Sequence, residues 1–326
     1  MKQRITPTTF RLTVQAAFTL FCAYVGFRFA AFMAWALGTS QIFVPKPGAV
    51  EGFLPISALM GFRQFLHSGT WDTVHPAGLA IFIAILLMAV LFRKGFCGYI
   101  CPVGFISHLL ELAGRRLHLA ITPPKWINFP LMGLKYLLLG GFCYAIFSMT
   151  PQALESFISS PYNRVSDAKM LAFFTNPSAL SLSILGGLLV LSLCIRNFWC
   201  RYLCPYGALL GLLAWFSPVA VKRDTTQCIH CEKCTDHCPS GITIHQKTVV
   251  HSPECLGCAQ CIEACPVEDC LSMGLPGGKR IPWLTVGIGA VATLLLVWAW
   301  AKATGHWDST MSPAMLKRIY MMILGA

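Results

Sequence analysis

Charged residues are scarce in this sequence. Asp, Glu, Lys and Arg make up 12% of its 326 residues, whereas soluble globular domains carry about 25%. Acidic residues are the rarest, because 13 Asp and Glu stand against 25 Lys and Arg and leave a net charge of +12. Hydrophobic residues make up 56% of the chain. Such a composition excludes an ordinary water-soluble surface and indicates a protein that lies in a lipid bilayer.

Long hydrophobic runs occur five times, and each approaches the length of about 20 residues that a helix needs to cross the hydrocarbon core. We expect the first run to remain as a span, because it is too long for the apolar region of a cleaved signal peptide. The predicted spans cover residues 12–37, 74–92, 129–149, 177–195 and 281–301.

The basic residues lie beside the ends of these runs. If five spans alternate, all the basic segments fall on one side of the membrane, which the positive-inside rule assigns to the cytoplasm. This explains the positive charge without a nucleic-acid partner. It predicts a multi-pass protein of the bacterial inner membrane with a cytoplasmic N-terminus and a periplasmic C-terminus. The basic residues concerned are Lys2, Arg4, Arg11, Arg93, Lys94, Arg115, Arg116, Lys125, Arg196, Arg201, Lys222, Arg223, Lys279 and Arg280.

A cysteine motif occurs twice, as RKGFCGYICPVG at residues 93–104 and RNFWCRYLCPYG at residues 196–207, an offset of 103 residues. Each copy follows two predicted spans, so the first four spans are predicted to form a 2+2 internal repeat. Because both copies enter on the same side, the repeat axis should run along the membrane normal. Such an axis would bring the two cysteine pairs face to face.

A second kind of cysteine motif follows in a more polar segment. It reads CIHCEKCTDHCP from Cys228 and CLGCAQCIEACP from Cys255, two copies of the C-x2-C-x2-C-x3-C-P run of bacterial two-cluster ferredoxins. In such runs the fourth cysteine binds the other cluster. In the reducing cytoplasm, clustered cysteines indicate metal binding rather than disulfides. We therefore predict two [4Fe-4S] clusters, one held by Cys228, Cys231, Cys234 and Cys265, the other by Cys255, Cys258, Cys261 and Cys238.

Zinc is the alternative occupant of these motifs, because zinc sites also use C-x2-C steps. A zinc site has no use for the third and fourth cysteine of each run, so iron is preferred. Cys270 lies five residues beyond the last motif cysteine. It is either a spare thiol or a substitute ligand, and the spare thiol is the preferred interpretation.

The repeated C-x3-C-P pairs are Cys97 with Cys101 and Cys200 with Cys204. In a helix, residues four apart share a face, so each pair would present two thiolates in one direction. Four soft ligands near the membrane surface suit a third iron–sulfur cluster, and they would also suit copper. The alternative is inert buried cysteine, against which the repetition argues.

Other polar residues in apolar surroundings are less informative. Arg28 lies inside the first predicted span, and a functional and a structural role both stay open for it. His67, His75 and His108 are candidates for haem or quinone contacts, but none has a spaced partner in the sequence.

The two C-x3-C-P copies followed by the two ferredoxin motifs resemble the NapH/NosR-type polyferredoxin membrane proteins over residues 74–275. The resemblance implies that electrons pass between the quinone pool or a cytoplasmic donor and periplasmic reductases. A related branch, the CcoG-type proteins, is similar in both motif sets and is tied to copper handling during cytochrome oxidase assembly. We expect neither the flavin-binding domain of the NosR kind nor the immunoglobulin-like domain of the CcoG kind, which favours a NapH-like subunit.

We therefore predict an all-α polytopic membrane protein with an inserted α+β ferredoxin domain. Its predicted parts are a four-span core at residues 1–222, the cytoplasmic ferredoxin domain at 223–276, and a fifth span with a short external tail at 277–326. We predict an electron-transfer component of an oxidoreductase complex rather than a stand-alone enzyme. Its predicted partners are cytochrome or reductase subunits, with quinone as a further candidate. The alternative is an assembly factor that reduces or delivers copper to a respiratory oxidase.

Overall fold

The computed structural model describes residues 5–121 and 123–324, most of which are helical. Two of its helices, Ser166–Thr175 and Ala179–Cys194, together have the length of one span but are bent by 75°. The chain is a membrane protein with three to four candidate spans among the described residues. The single helices that are long and apolar enough to cross a membrane are Pro7–Ala36, Trp126–Phe147 and Leu284–Ala303.

Two predicted spans differ from the helices that form. The second corresponds to Pro76–Phe92, which has 17 residues and is shorter than the usual crossing length. The fourth, predicted at 177–195, corresponds to Ala179–Cys194, whose 16 residues reach a crossing length only together with Ser166–Thr175. Pro177 disfavours the helical conformation of the residue before it, so one helix ends at Thr175 and the next begins at Ala179.

Many helices begin at a proline, whose fixed φ angle and missing N–H suit the first helical turn. The α-helices of the described residues are α1 (Pro7–Ala36), α2 (Pro55–Ser68), α3 (Pro76–Phe92), α4 (Pro102–Arg116), α5 (Lys125–Phe147), α6 (Pro151–Ile158), α7 (Pro161–Arg164), α8 (Ser166–Thr175), α9 (Ala179–Cys194), α10 (Pro205–Ala214), α11 (Lys233–Asp236), α12 (Gln260–Glu263), α13 (Leu284–Ala303) and α14 (Pro313–Leu324). The strands are β1 (Ala220–Arg223), β2 (Val249–Val250), β3 (Leu271–Gly274) and β4 (Arg280–Ile281).

The strands form one antiparallel sheet in the order β2-β1-β3-β4. In its register Val221 of β1 lies opposite Val250 of β2 and Met273 of β3. All three side chains are buried. The sheet therefore gives the polar, cysteine-rich segment a small apolar core.

The chain divides into two compact units. The cysteine-rich unit comprises the described residues of Met1–Thr19, Ile85–Leu139 and Gly186–Leu294, and it includes the sheet and all twelve motif cysteines. The second unit comprises those of Leu20–Ala84, Gly140–Leu185 and Leu295–Ala326.

Buried charged residues are paired inside the second unit. Lys46 Nζ lies 2.7 Å from a carboxylate oxygen of Asp167 and 3.3 Å from one of Glu51. The Tyr320 hydroxyl of α14 donates to the same Asp167 at 2.8 Å. His75 Nδ1 lies 3.5 Å from Glu51. Such pairing offsets the cost of burying charge, and it fixes α8 and α14 within this unit.

Candidate functional site

The two C-x2-C-x2-C-x3-C-P motifs fold into loops of the same shape. In the first loop His230 and Glu232 have positive φ angles of 54° and 59°. In the second loop Gly257 and Ala259 occupy the matching positions with 66° and 59°. Left-handed residues are uncommon outside glycine and turn the chain sharply, so each loop curls around one centre. A one-turn helix, α11 or α12, then leads towards the fourth cysteine.

These loops surround two cavities of similar size. Each cavity is lined by three cysteines of one motif and the fourth cysteine of the other. The cysteines of the first cavity, named the inner set, are Cys238, Cys255, Cys258 and Cys261. The motif cysteines of the second cavity, named the surface set, are Cys228, Cys231, Cys234 and Cys265, and Cys270 lines this cavity as well. The structure thus groups the same four and four cysteines that the motif spacing predicts as ligands.

The two sets differ in exposure. Every cysteine of the inner set is buried, whereas Cys231 of the surface set is exposed. Burial raises the pKa of Cys261 well above the usual cysteine range, and neighbouring thiols that include Cys234 of the surface set raise it further. The two sets therefore lie side by side, with the surface set nearer to solvent.

The chemistry of these thiols tests which group they suit. Burial raises the pKa of Cys238 to about 12, and Cys258 adds to the effect. Crowded, buried thiols keep their protons near neutral pH unless a cationic group pairs with their charge. An iron–sulfur core, which takes four thiolates, fits this donor set. In the described residues no three His, Cys, Asp or Glu side chains are arranged to hold a single metal ion.

The C-x3-C-P pairs adopt a conformation that helical spacing does not predict. Cys97 lies in a single π-helical turn, Phe96–Ile100, and Cys101 is extended with φ −66° and ψ 119°. The second copy repeats this with the π-helical turn Trp199–Leu203 and an extended Cys204. The proline after each pair explains the break, because it disfavours the helical conformation of the residue before it. Single π-helical turns are frequent at functional sites.

The four thiols of the two copies lie together. Burial raises the pKa of Cys97 to about 11. Lys94 acts to lower this pKa, whereas Cys204 of the other copy acts to raise it. Burial raises the pKa of Cys200 to about 12, and Cys204 and then Cys97 add to this. The aromatic rings of Phe96 and Tyr206, again from different copies, have centroids 6.0 Å apart. We name Cys97, Cys101, Cys200 and Cys204 the membrane-end set.

Two comparisons bear on these sets. The family model described as a 4Fe-4S binding domain matches twice, at residues 74–119 and 177–223, which contain the C-x3-C-P pairs. The 4Fe-4S dicluster domain matches residues 220–266, which contain the ferredoxin motifs. The Escherichia coli (strain K12) protein named "Putative electron transport protein YccM" is 35% identical over 96% of this chain and 90% of its own length. The chain belongs to the NapH/NosR-type polyferredoxin family.

More distant relatives agree with this family. Protein NirI of Paracoccus denitrificans is 31% identical over 59% of this chain and 28% of its own length. The ferredoxin-type protein NapH of Escherichia coli is 26% identical over 57% of this chain and 61% of its own length. No solved structure matches the chain significantly. The predicted resemblance is confirmed, and the chain is an iron–sulfur electron transport protein of this family.

The loops that carry the inner and membrane-end sets of this polyferredoxin pack closely against each other. Gly98 follows Cys97, and a Cβ atom added to it would lie 3.1 Å from the carbonyl oxygen of Leu256, the residue after Cys255. The hydroxyl of Tyr99 donates to the Gly257 carbonyl at 3.4 Å. A side chain at position 98 would therefore crowd the Leu256 carbonyl.

A buried charge cluster joins the same two sets. Glu254, the residue before Cys255, accepts from Lys135 Nζ at 2.6 Å and from Lys94 Nζ at 3.2 Å. The Tyr136 hydroxyl donates to it at 3.2 Å. Burial acts to raise the pKa of Glu254, but Lys94 and Lys135 outweigh burial and hold it below the usual range. The cluster has one more positive than negative charge beside the thiols of the membrane-end set.

Two arginines of the polyferredoxin repeat also hold the ferredoxin loops. Arg93 donates to the carbonyl of Ser252 at 2.8 Å, just ahead of Cys255. Its counterpart in the second copy, Arg196, donates to the carbonyl of Cys238 at 2.6 Å. The two repeated arginines thus fix both chain segments that supply the inner set.

The positive-inside pattern marks these cations only as residues of the cytoplasmic side and does not predict this role. The constant offset of 103 residues was the signal that could have found them, since Arg93 and Arg196 open the two motif copies. For Glu254, Lys94 and Lys135 the sequence carries no comparable signal, because the three residues come from distant segments.

Proposed function

We propose that this chain is a membrane-bound electron-transfer subunit that passes electrons between the quinone pool or a cytoplasmic donor and a respiratory redox partner. The observation that carries the proposal is the order of three cysteine sets within one unit. The surface set is open to solvent at Cys231, the inner set lies beside it, and the membrane-end set contacts the inner loop through Gly98 and Tyr99. This order forms a route from solvent to the ends of the predicted spans.

The ligand assignments are part of this proposal. The inner and surface sets would each hold one [4Fe-4S] cluster, and the membrane-end set would hold a third iron–sulfur group. When bound, such clusters exchange single electrons, with potentials set by charge, hydrogen bonds and exposure. The chain itself contributes the two cavities, the thiolate ligands, and the positive charge of Lys94 and Lys135 near the membrane-end set.

We further propose five spans, with the N-terminus and the ferredoxin domain in the cytoplasm and the C-terminus in the periplasm. Counting α3 as a span adds one to the four candidates formed by α1, α5, α8 with α9, and α13. The distribution of basic residues supports this orientation, because the positive-inside rule assigns Arg93 and Arg196 to the cytoplasmic side. Both arginines donate hydrogen bonds to the ferredoxin loops, which would therefore lie on the same side.

Reporter fusions test the orientation. A reporter that is active only in the periplasm is expected to work when fused after Ala326, and one that is active only in the cytoplasm is expected to work when inserted near Gly277. The positive-inside rule gives the physical reason. The exchanged fusions, each reporter at the other site, serve as controls and should be silent. The reverse pattern would contradict the orientation.

Proteoliposomes test electron transfer itself. Vesicles that contain the purified protein and a lipid-soluble quinone are loaded with cytochrome c and treated outside with dithionite, an anion that crosses lipid slowly. We expect the enclosed cytochrome to be reduced faster than in protein-free vesicles, because the surface set is open to solvent and the route leads into the membrane. The Cys97→Ala variant should fall to the protein-free rate. A wild-type rate equal to that of protein-free vesicles would contradict the proposed function.

A further inference from the structure

Five cysteines, rather than four, line the cavity of the surface set. The additional one is Cys270, which is buried and directly precedes strand β3. Its thiol lines the same cavity as those of Cys228 and Cys265. Among the described residues, by contrast, no cysteine other than its four motif cysteines lines the cavity of the inner set. The difference between the two cavities requires an explanation, because a cubane cluster takes four thiolates.

Cys270 is held in place independently of the ferredoxin loops. Its carbonyl accepts a hydrogen bond of 2.8 Å from the backbone N–H of Asp224, next to β1. Its thiol is 3.7 Å from the carbonyl oxygen of Asp224. The residue before it, Asp269, has a positive φ of 58°, which turns the chain into β3. Cys270 is therefore held at the edge of the sheet by Asp224 rather than by the motif loops.

We propose that Cys270 is a reserve ligand of the surface set, able to replace Cys265 or Cys228 at the iron. The proposal rests on the proposed role of the surface set as an iron–sulfur site. In the replacement, the S–H bond of Cys270 breaks and a bond from its sulfur to iron forms. The bond between iron and the departing cysteine breaks, and that thiolate takes up the proton. No electron is transferred, so no oxidant or reductant is required.

The position of Cys270 matches the difference in solvent exposure between the surface set and the inner set. The surface set is the one whose ligands solvent can reach, since Cys231 is exposed and Cys228 and Cys265 are partly exposed. Loss of one ligand bond is more frequent where water and solutes have access to it. A fifth thiol at this cavity would keep four sulfurs on the cluster when one ligand bond is lost. The inner set is buried, so its ligand bonds are protected from solvent.

Iron analysis of full-length variants tests the proposal. The proteins are purified anaerobically without added thiols, since a small thiol could replace a missing side chain. The wild type, which should hold at least about eight Fe in the two ferredoxin sets, is the reference. Cys265→Ala is expected to keep the wild-type iron and sulfide with a changed paramagnetic signal, because Cys270 supplies the fourth sulfur. The double variant Cys265→Ala with Cys270→Ala should lose about four Fe.

Three further variants complete the test. Cys270→Ala alone should keep all iron, because the four motif cysteines remain. Cys228→Ala is a second test variant in case Cys265→Ala fails to fold. Like Cys265→Ala, it should keep the wild-type iron only while Cys270 is present. Cys238→Ala is the matched control in the inner set, where no fifth cysteine lines the cavity, and it should lose about four Fe.

The outcomes separate the proposal from the function on which it rests. If Cys265→Ala and Cys228→Ala each lose about four Fe with Cys270 present, the reserve role is wrong and the proposed function stands. Retention of iron in the double variant also overturns the reserve role, because another group would then complete the cluster. Absence of ferredoxin iron from the wild type would instead contradict the proposed function.

Discussion

Replacing either Cys97 or Cys200 with alanine is expected to remove one and the same iron–sulfur group, about four Fe per chain, and to leave the roughly eight Fe of the inner and surface sets in place. The expectation follows from the position of the thiols. In addition to burial, Cys97 of the first motif copy raises the pKa of Cys200 in the second, and Cys200 raises the pKa of Cys101 in the first. A group held by both copies cannot keep its full set of ligands when either copy loses one.

The paired variants distinguish a shared site from two separate sites. Iron and sulfide per chain and the paramagnetic signals of the reduced protein are measured for wild type and each variant. Loss of the same signal in both variants supports a shared site. Loss of a different metal in each variant, or iron at the ferredoxin level in the wild type as well, would contradict it. Stoichiometric copper in the lost fraction would support the copper-handling alternative.

A matched control lies in α5. Cys143 is a partly buried cysteine outside the three sets, so Cys143→Ala removes a thiol from the membrane part without touching a motif. It should keep the full iron content. If Cys143→Ala loses as much iron as Cys97→Ala, the loss reports general damage to the membrane part rather than a missing ligand.

Local spacing in the sequence accounts for much of the candidate site. The steps between Cys228 and Cys238 and between Cys255 and Cys265 predict which cysteines belong together, because a loop this short leaves few ways to place three thiols around one centre. The structure brings the same groups together around two cavities. Their role as ligands stays a prediction, as does that of the membrane-end set.

The features that the sequence did not predict depend on long-range packing or on one local exception. The π-helical turn at Cys97 arises because Pro102 prevents a regular helix from continuing through Cys101. Pairings such as Lys46 with Asp167 join residues more than a hundred positions apart. Hydrophobic periodicity carries no information about such partners, so the buried networks become visible only in three dimensions.

Among these long-range contacts, the one around Glu254 should be the most sensitive to mutation. Glu254 is 7% exposed, and its partners Lys94 and Lys135 are 3% and 0% exposed. Glu254 precedes an inner-set cysteine, whereas Lys94 follows α3 and Lys135 lies in α5. The cluster therefore fastens the ferredoxin loops to the membrane helices of the cysteine-rich unit, in addition to the backbone contacts of Arg93 and Arg196.

Glu254→Gln is expected to destabilise the folded protein by about 3–5 kcal/mol, because removal of one partner from a buried ion cluster leaves uncompensated charge. Here two ammonium groups would face each other without the carboxylate that now accepts from both at 2.6 and 3.2 Å. The measurement is the thermal unfolding midpoint of the detergent-solubilised protein, together with the temperature at which iron is released. Both should fall well below the wild-type values.

The double variant Glu254→Gln with Lys135→Met tests the physical cause, because it removes one of the two uncompensated charges and should recover part of the lost stability.

Glu263→Gln is the matched control for loss of a carboxylate. Glu263 lies in the same ferredoxin domain and is exposed. Among the described residues it accepts hydrogen bonds from Thr8 alone. Because water can replace these hydrogen bonds, the loss of the carboxylate should cost about 1 kcal/mol or less. Equal destabilisation by Glu254→Gln and Glu263→Gln would show that burial of the charge cluster is not the cause. A double variant less stable than Glu254→Gln would show that Lys135 stabilises the fold through its packing rather than through its charge.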